Sequence, residues 1–311
     1  MVKQVILACL LGVSFAVFSA PQIYHGHKVL SDEQFPFVVA LYNDHYKDQE
    51  VSSFCTGTLI AKSWVLTAVH CIDSYDTGTL ENPADLSVGF GYKARTPATA
   101  KKVIRVKNIF TFDDKLTWPD FVQHDLALLQ LQEQADVTPV DLPDSADAFP
   151  QLKSTNKNAI AVGYGFSGVT WTAECERDPD SDECYPDDLT WENSLLYGNE
   201  IIKPDSTIQE LLNKYHDLEH IKEPIESYNS FTMLGVISPD GTRATNVDSG
   251  GPLLLQDVNG KYTQVGVCSW QLQPNYISYK EGYVTKEPLV YANLTDKNIL
   301  DFIKKTIKNN S

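Results

Sequence analysis

Short apolar segments cut apart by turn residues restrict the fold of this chain more than any other feature. Phe35–Tyr42 (FPFVVALY), Thr56–His70 (TGTLIAKSWVLTAVH), Asp125–Leu131 (DLALLQL) and Ala159–Gly165 (AIAVGYG) are rich in apolar and β-branched residues. Such residues suit a pleated, half-buried surface, and the Gly, Pro, Asn and Asp between the runs end each strand. Several short strands at close spacing predict an all-β body, a sandwich or a barrel. The chain has 311 residues, 42% of them hydrophobic, enough for one large domain or two small ones. Between Asp136 and Asn158 the composition turns polar and carries Pro139, Pro143 and Pro150, which marks a crossover between two halves. No internal repeat is visible.

The two ends read differently. Lys3 is the only charge in the first twenty residues, and Val5–Phe18 is an apolar run of about 14 residues. That length matches the ~7–15 residues of a signal-peptide core and is short for a membrane span. Pro21 disfavours a cut directly after Ala20, so cleavage is expected after Ser19 or earlier, after Ala16. The reading is a signal peptide over 1–19, a short propeptide over 20–22, and a secreted protein. At the other end, in TDKNILDFIKKTIKNN, Ile299, Leu300, Ile303 and Ile307 recur at helical spacing, with Thr295 or Asp296 placed to cap. This predicts an amphipathic helix over about 296–309, packed on the β body.

A formal net charge of −16 argues against nucleic acid and anionic membrane surfaces as partners, because both call for an excess of Lys and Arg. Of six cysteines, Cys9 leaves with the signal, and Cys55, Cys71, Cys175, Cys184 and Cys268 remain. An odd number leaves at least one free thiol, and Cys268, in the apolar run QVGVCSW, is read as a buried small hydrophobe. Two segments look inserted. Trp171–Glu192 is acidic, and its Cys175 and Cys184 are close enough to close a local loop. Ile208–Ser230 reads as partly helical; its His216 and His220 share a helix face, but no third metal ligand is evident, so a solvated face is expected. The acidic loop lacks the ligand spacing of a calcium loop. No cofactor is implied.

Three separated motifs call for one explanation: LTAVHC with His70, HDLALLQL with Asp125, and NVDSGGP with Ser249. A serine hydroxyl is a weak nucleophile that needs a base, an imidazole serves near neutral pH, and the imidazole needs a buried carboxylate to hold its tautomer. Each motif alone is more often structural. Together, in the order His, Asp, Ser, they resemble the trypsin/chymotrypsin family of serine proteases, from about Ile23 to the C-terminal helix. LTAVHC is similar to the family's TAAHC, and DSGGP to its GDSGGP.

The resemblance implies two packed antiparallel Greek-key β-barrels and a C-terminal α-helix. The first barrel would span about 23–135 and the second about 159–294 of a peptidase domain over 23–311. It implies a catalytic triad of His70, Asp125 and Ser249, working through an acyl-enzyme. It also implies a Cys55–Cys71 disulfide, an oxyanion hole from the Val247 and Ser249 N–H groups, and a cleft lined by Ser269 and Trp270. Pro288–Tyr291 matches the family's PGVY. Ile23 resembles the family's mature start, whose freed amine would pair with Asp248 after cleavage by an activating protease. Removing one partner of such a buried pair costs ~3–5 kcal/mol, enough to hold a zymogen inactive. The expected partner is a protein or peptide substrate, with no membrane association once the signal is removed.

Several residues depart from the family. Gln22 precedes Ile23 where a trypsin-type zymogen has Arg or Lys. Counting back from Ser249 without gaps puts Arg243 at the specificity position, and Gln271 and Leu289 stand where trypsin has glycines. A cationic floor would favour an acidic side chain, and a filled pocket a small one. Val247 replaces the glycine of the oxyanion hole, and glycine torsions cost a β-branched residue ~1–3 kcal/mol. The expectation is an Asn246–Val247 peptide flipped in the free protein, its N–H turned away from Ser249. The intact triad favours a secreted serine endopeptidase. Val247, Leu289 and the Gln22–Ile23 junction favour the alternative, a catalytically weak or inactive protease-like binding protein.

Overall fold

Twelve strands build two closed barrels. Val38–Asn43 (β1), Cys55–Ala61 (β2), Trp64–Thr67 (β3), Leu86–Phe90 (β4), Lys102–Thr111 (β5) and Ala127–Leu131 (β6) form the first, in the order β1-β2-β3-β6-β5-β4. It closes where β4 pairs back to β1, with Val39 opposite Phe90 and Asn43 opposite Leu86. Lys157–Gly163 (β7), Leu196–Ile202 (β8), Met233–Ile237 (β9), Pro252–Gln256 (β10), Tyr262–Gln271 (β11) and Leu289–Asn293 (β12) form the second, in the order β7-β8-β9-β12-β11-β10. It closes through pairing of β10 with β7. The two barrels follow the same path, although no repeat is visible in the sequence. The computed structural model describes residues 23, 25–44, 52–74, 79–112, 123–170, 188–218, 228–271 and 287–310. Cys175 and Cys184, the acidic stretch around them, His220 and the N-terminal apolar run lie outside these.

Strand alternation explains what each barrel buries. In β8, Leu196, Gly198, Glu200 and Ile202 are buried while their neighbours are not, the period-2 pattern of a strand with one inward face. Glu200 thereby lies inside the second barrel. One contiguous apolar cluster joins Leu59, Leu66 and Leu128 of the first barrel to Val162, Leu254 and Val267 of the second. Each such side chain contributes ~1.5–3 kcal/mol by leaving water. Phe35 reinforces the junction, with its ring centroid 5.6 Å from that of Tyr197 and 5.2 Å from that of Tyr262. The Pro-rich crossover stitches the barrels together: Val140 N–H donates to Leu59 O at 3.0 Å, and Gln264 N–H to Asp141 O at 2.9 Å.

Two α-helices are present among the described residues, Asp205–Leu218 (α1) and Lys297–Asn310 (α2). In α2, Ile299, Leu300 and Ile303 are buried. Asp296 caps it, its Oδ1 accepting from the N–H groups of Asn298 at 2.8 Å and Ile299 at 3.0 Å. At the far end, Gln130 of β6 donates to the Asn310 carbonyl at 2.8 Å, tying the helix to the first barrel. No helix among the described residues is long and apolar enough to cross a membrane.

Candidate active site

Strand β3 ends in the apolar run that carries His70 into a 3-10 turn, Val69–Cys71, and the Cys55–Cys71 disulfide anchors that turn to β2. Asp125 precedes β6, which pairs with β3, so barrel closure brings the two residues together. His70 Nδ1 lies 2.7 Å from Asp125 Oδ2, and the His70 backbone N–H donates to Oδ1 at 3.1 Å. The carboxylate can only accept, so the Nδ1 proton is held and Nε2 is left with its lone pair. Burial alone would lower the His70 pKa, but the charge and hydrogen bond of Asp125 outweigh it and hold it above 6.5. Burial likewise works against ionisation of Asp125, yet His70 and Ser269 hold its carboxyl below the usual range. His70 is within metal-ligand range of the Cys55 and Cys71 sulfurs, but a disulfide offers no thiolate.

Ser269 supplies the third bond to Asp125. Its Oγ donates to Asp125 Oδ2 at 2.6 Å. The register between β11 and β12 shifts between Cys268 and Trp270, and the bulge turns Ser269 toward the first barrel.

Ser249 ends a 3-10 turn, Asn246–Asp248, from the second barrel. Thr56 of β2 draws this turn onto the first barrel. The Thr56 N–H donates to Ser249 O at 2.9 Å, and its Oγ1 donates to Val247 O at 2.9 Å. Thr56 neighbours Cys55, whose disulfide partner adjoins His70, so the Ser249 turn and the His70 turn are both tied to β2. Gly250 makes the approach possible. It has φ of +79°, and a Cβ there would lie 2.1 Å from Thr67 Oγ1.

A family model described as Trypsin matches residues 23–181. The chain belongs to the trypsin family. It is 27% identical over 307 residues to beta-fibrinogenase mucrofibrase-3 of Protobothrops mucrosquamatus, covering 97% of this chain and 93% of that protein. It is 25% identical over 249 residues to coagulation factor XII of Bos taurus, covering 76% of this chain. The match spans only 33% of the bovine factor's length.

The turn at Val247 is conformed differently from the expectation of torsional strain. The non-glycine described residues with positive φ are Ile23 at 44° and His25 at 61°, so Val247 does not adopt glycine torsions. The loop has taken a right-handed 3-10 turn, which a β-branched residue enters without that cost. Among the described residues, the Asp248 carboxylate accepts from Gly165 N–H at 2.7 Å, Thr245 N–H at 2.7 Å and Thr245 Oγ1 at 3.1 Å. Burial pushes its pKa up to about 6, the hydrogen bonds pulling the other way. Ile23 is buried against Ala161 and Leu196.

Arg243, which counting back from Ser249 puts at the expected specificity position, is not a bare cation. Its Nη1 lies 3.1 Å from Glu287 Oε2, and its Nε donates to Gln271 Oε1 at 3.0 Å. Leu289 is buried at the start of β12, opposite Gln271. Thr56 and Glu287 escaped the sequence reading. A threonine in a strand carries no local sign of partners elsewhere, and Glu287 announces nothing beyond its place before the PLVY segment. Thr245 left a usable signal, the Thr-x-x-Asp spacing of a reciprocal cap.

Proposed function

We propose that this trypsin-family chain is a secreted serine endopeptidase acting through His70, Asp125 and Ser249. The carrying observation is the doubly anchored His70–Asp125 pair, with the Ser249 turn bonded to Thr56, beside the Cys55–Cys71 bridge. In this reading His70 Nε2 takes the Ser249 hydroxyl proton as Oγ attacks the peptide carbonyl. Asp125 steadies the resulting imidazolium. The amine leaves with the proton from His70, and water then cleaves the acyl-enzyme by the same route in reverse. The N–H groups of Val247 and Ser249 hold the oxyanion, and Ser269, Trp270 and Gln271 border the bound peptide. The venom relative is by name a fibrinogenase, which agrees with a protein substrate. Cleavage before Ile23 by a protease without trypsin's preference frees an amine for Asp248, and the signal occupies 1–19.

The right-handed turn at Val247 favours a second reading, a protease-like binding protein of weak or no activity. In a 3-10 turn the N–H groups point back along the turn, which supports a Val247 N–H directed away from Ser249. A serine-directed fluorophosphonate probe decides between the two. Labelling that is lost in Ser249→Ala and His70→Ala supports the peptidase, with hydrolysis falling on the order of 10⁶-fold. Labelling or hydrolysis that survives either change refutes the triad.

A further inference from the structure

A cavity of about 270 Å³ lies against the first barrel and shares no residue with the candidate active site. Three parts of the chain wall it: Val29 and Phe35 ahead of β1, Phe90 and Tyr92 at the end of β4, and Ala135 and Val137 after β6. Val29, Phe35, Phe90 and Ala135 are buried, so the walls are apolar in depth. The charges around them are largely matched already. Lys101 reaches Asp32, whose Oδ1 also accepts from the Tyr92 N–H at 2.9 Å. Lys102 Nζ lies 3.0 Å from Glu133 Oε1, and Asp136 is exposed to water. A chain of hydrogen bonds leads from the wall to the Ser249 turn. The carbonyl of Gly91, another wall residue, accepts from the Tyr164 hydroxyl at 2.9 Å. The Tyr164 N–H donates to Thr56 Oγ1 at 3.2 Å, and that hydroxyl donates to Val247 O. The next residue, Gly165, donates to Asp248. Buried Tyr164 thus joins the cavity wall to two residues of the turn that ends in Ser249.

We propose that this cavity is an effector site for a small neutral aromatic molecule, and that its occupancy holds the Ser249 turn in its right-handed form. A dry apolar hole of about 150 Å³ takes one benzene ring, so this volume suits two fused rings, about nine or ten heavy atoms. A charged ligand loses water and finds the lysines and Asp32 already paired. A protein surface laid across the mouth meets Asp32, Lys101, Lys102 and Asp136 among the apolar walls, which suits a molecule that enters the hole instead. A ligand shifts an equilibrium only by binding one arrangement better than another. Packed on Gly91 and Tyr92, it favours the arrangement in which the Gly91 carbonyl meets Tyr164, and through Thr56 the one in which Val247 is held as it stands. The site itself does not depend on the peptidase reading; only its effect on hydrolysis rests on that reading.

The test titrates indole into the secreted protein by calorimetry, with a Kd of about 0.1–1 mM expected. Indole-3-acetate and tryptamine, which add a charge, should bind more weakly. Val137 is half-buried, and Val137→Trp fills the hole from its edge, so it should weaken indole binding about tenfold or more. Ala135→Leu does the same from the inside and is measured beside it, so that one folded variant suffices. Amide exchange reads the turn without catalysis. The Asp248 N–H, which donates to Thr245 O, should exchange about fivefold or more slowly at saturating indole. Tyr164→Phe, which lacks the hydroxyl that meets Gly91, should keep the binding and lose the slowing. In a chain that cleaves peptides, indole should lower kcat with KM little changed. No saturable binding below about 10 mM overturns the proposal, as does unchanged affinity in a folded filled variant. So do charged relatives that bind as tightly as indole, binding that leaves the Asp248 N–H or kcat unaffected, and slowing that persists in Tyr164→Phe. N-acetyltryptophanamide binding more tightly than indole assigns the hole to a protein side chain and overturns the small-molecule class. Slowed exchange in a chain that neither labels nor cleaves refutes the peptidase reading and supports the site.

Discussion

Thr245 and Asp248 cap each other across a single 3-10 turn. The Asp248 carboxylate accepts from both the N–H and the Oγ1 of Thr245, at 2.7 and 3.1 Å, and the Asp248 N–H donates to the Thr245 carbonyl at 2.8 Å. This reciprocal cap holds the segment leading to Ser249 using neutral donors, with Gly165 N–H as a further one. Gly165 is itself required by the contact, since a Cβ there would lie 2.2 Å from Asp248 Oδ2.

Asp248 makes the uncut chain less stable as pH rises. Its folded pKa is about 6 against an ordinary 3.8, so between these values the native state binds more protons than the unfolded one. The stability it contributes is fully present below about pH 4 and is lost as pH rises through about 6, a change of order 3 kcal/mol. Urea unfolding of the uncut protein from pH 4 to 7 should show this decline, and Asp248→Asn should flatten it. A decline that persists unchanged in the variant assigns it to another group.

Val247→Gly should raise turnover. Glycine can leave the right-handed turn and aim its N–H at the developing oxyanion, a donor worth about 10²–10³ in rate. The gain should fall on kcat more than on KM, because the interaction forms mainly in the transition state. Steady-state kinetics on one peptide checks this, and unchanged kcat in the glycine variant removes the flipped-peptide idea.

The pH dependence of hydrolysis should report His70. Asp125 raises its pKa above 6.5, and only neutral imidazole accepts the serine proton, so kcat/KM should rise with pH through a midpoint above 6.5. Asp125→Asn should lower that midpoint and cost about 10⁴ in rate. Ser269→Ala takes a short, charge-assisted bond from the same carboxylate. It should weaken the hold on His70 and cut kcat/KM with little change in KM. A midpoint unmoved by Asp125→Asn would show that another group sets the profile.

The thiol chemistry should divide cleanly. Cys55 and Cys71 are bridged across a separation of 16 residues, and replacing both with Ala should cost about 3 kcal/mol in unfolding free energy. Cys268 is a buried free thiol whose pKa is raised by burial. Iodoacetamide should leave it unmodified in the native protein and modify it after denaturation. Peptide mapping that places Cys268 in a bridge contradicts this assignment.

Much of this molecule is legible from its residues alone. Short β-branched runs between turn residues specify strands because their side chains suit a pleated surface, and the spacing of Ile299, Leu300 and Ile303 specifies one amphipathic helix. The motifs around His70, Asp125 and Ser249 identify the family without coordinates. Other relationships depend on chain segments that only closure of the barrels brings together. Thr56 meets Val247 across 191 residues, and Ser269 meets Asp125 across 144. The bulge that turns Ser269 arises from strand register, which local sequence does not encode. The shared path of the two barrels is likewise a matter of pairing rather than of repeated residues. Arg243 read as a bare cation because its partner stands 44 positions away, where 287 minus 243 is the separation. Only folding places Glu287 against it, because a buried guanidinium needs an opposite charge wherever along the chain that charge lies.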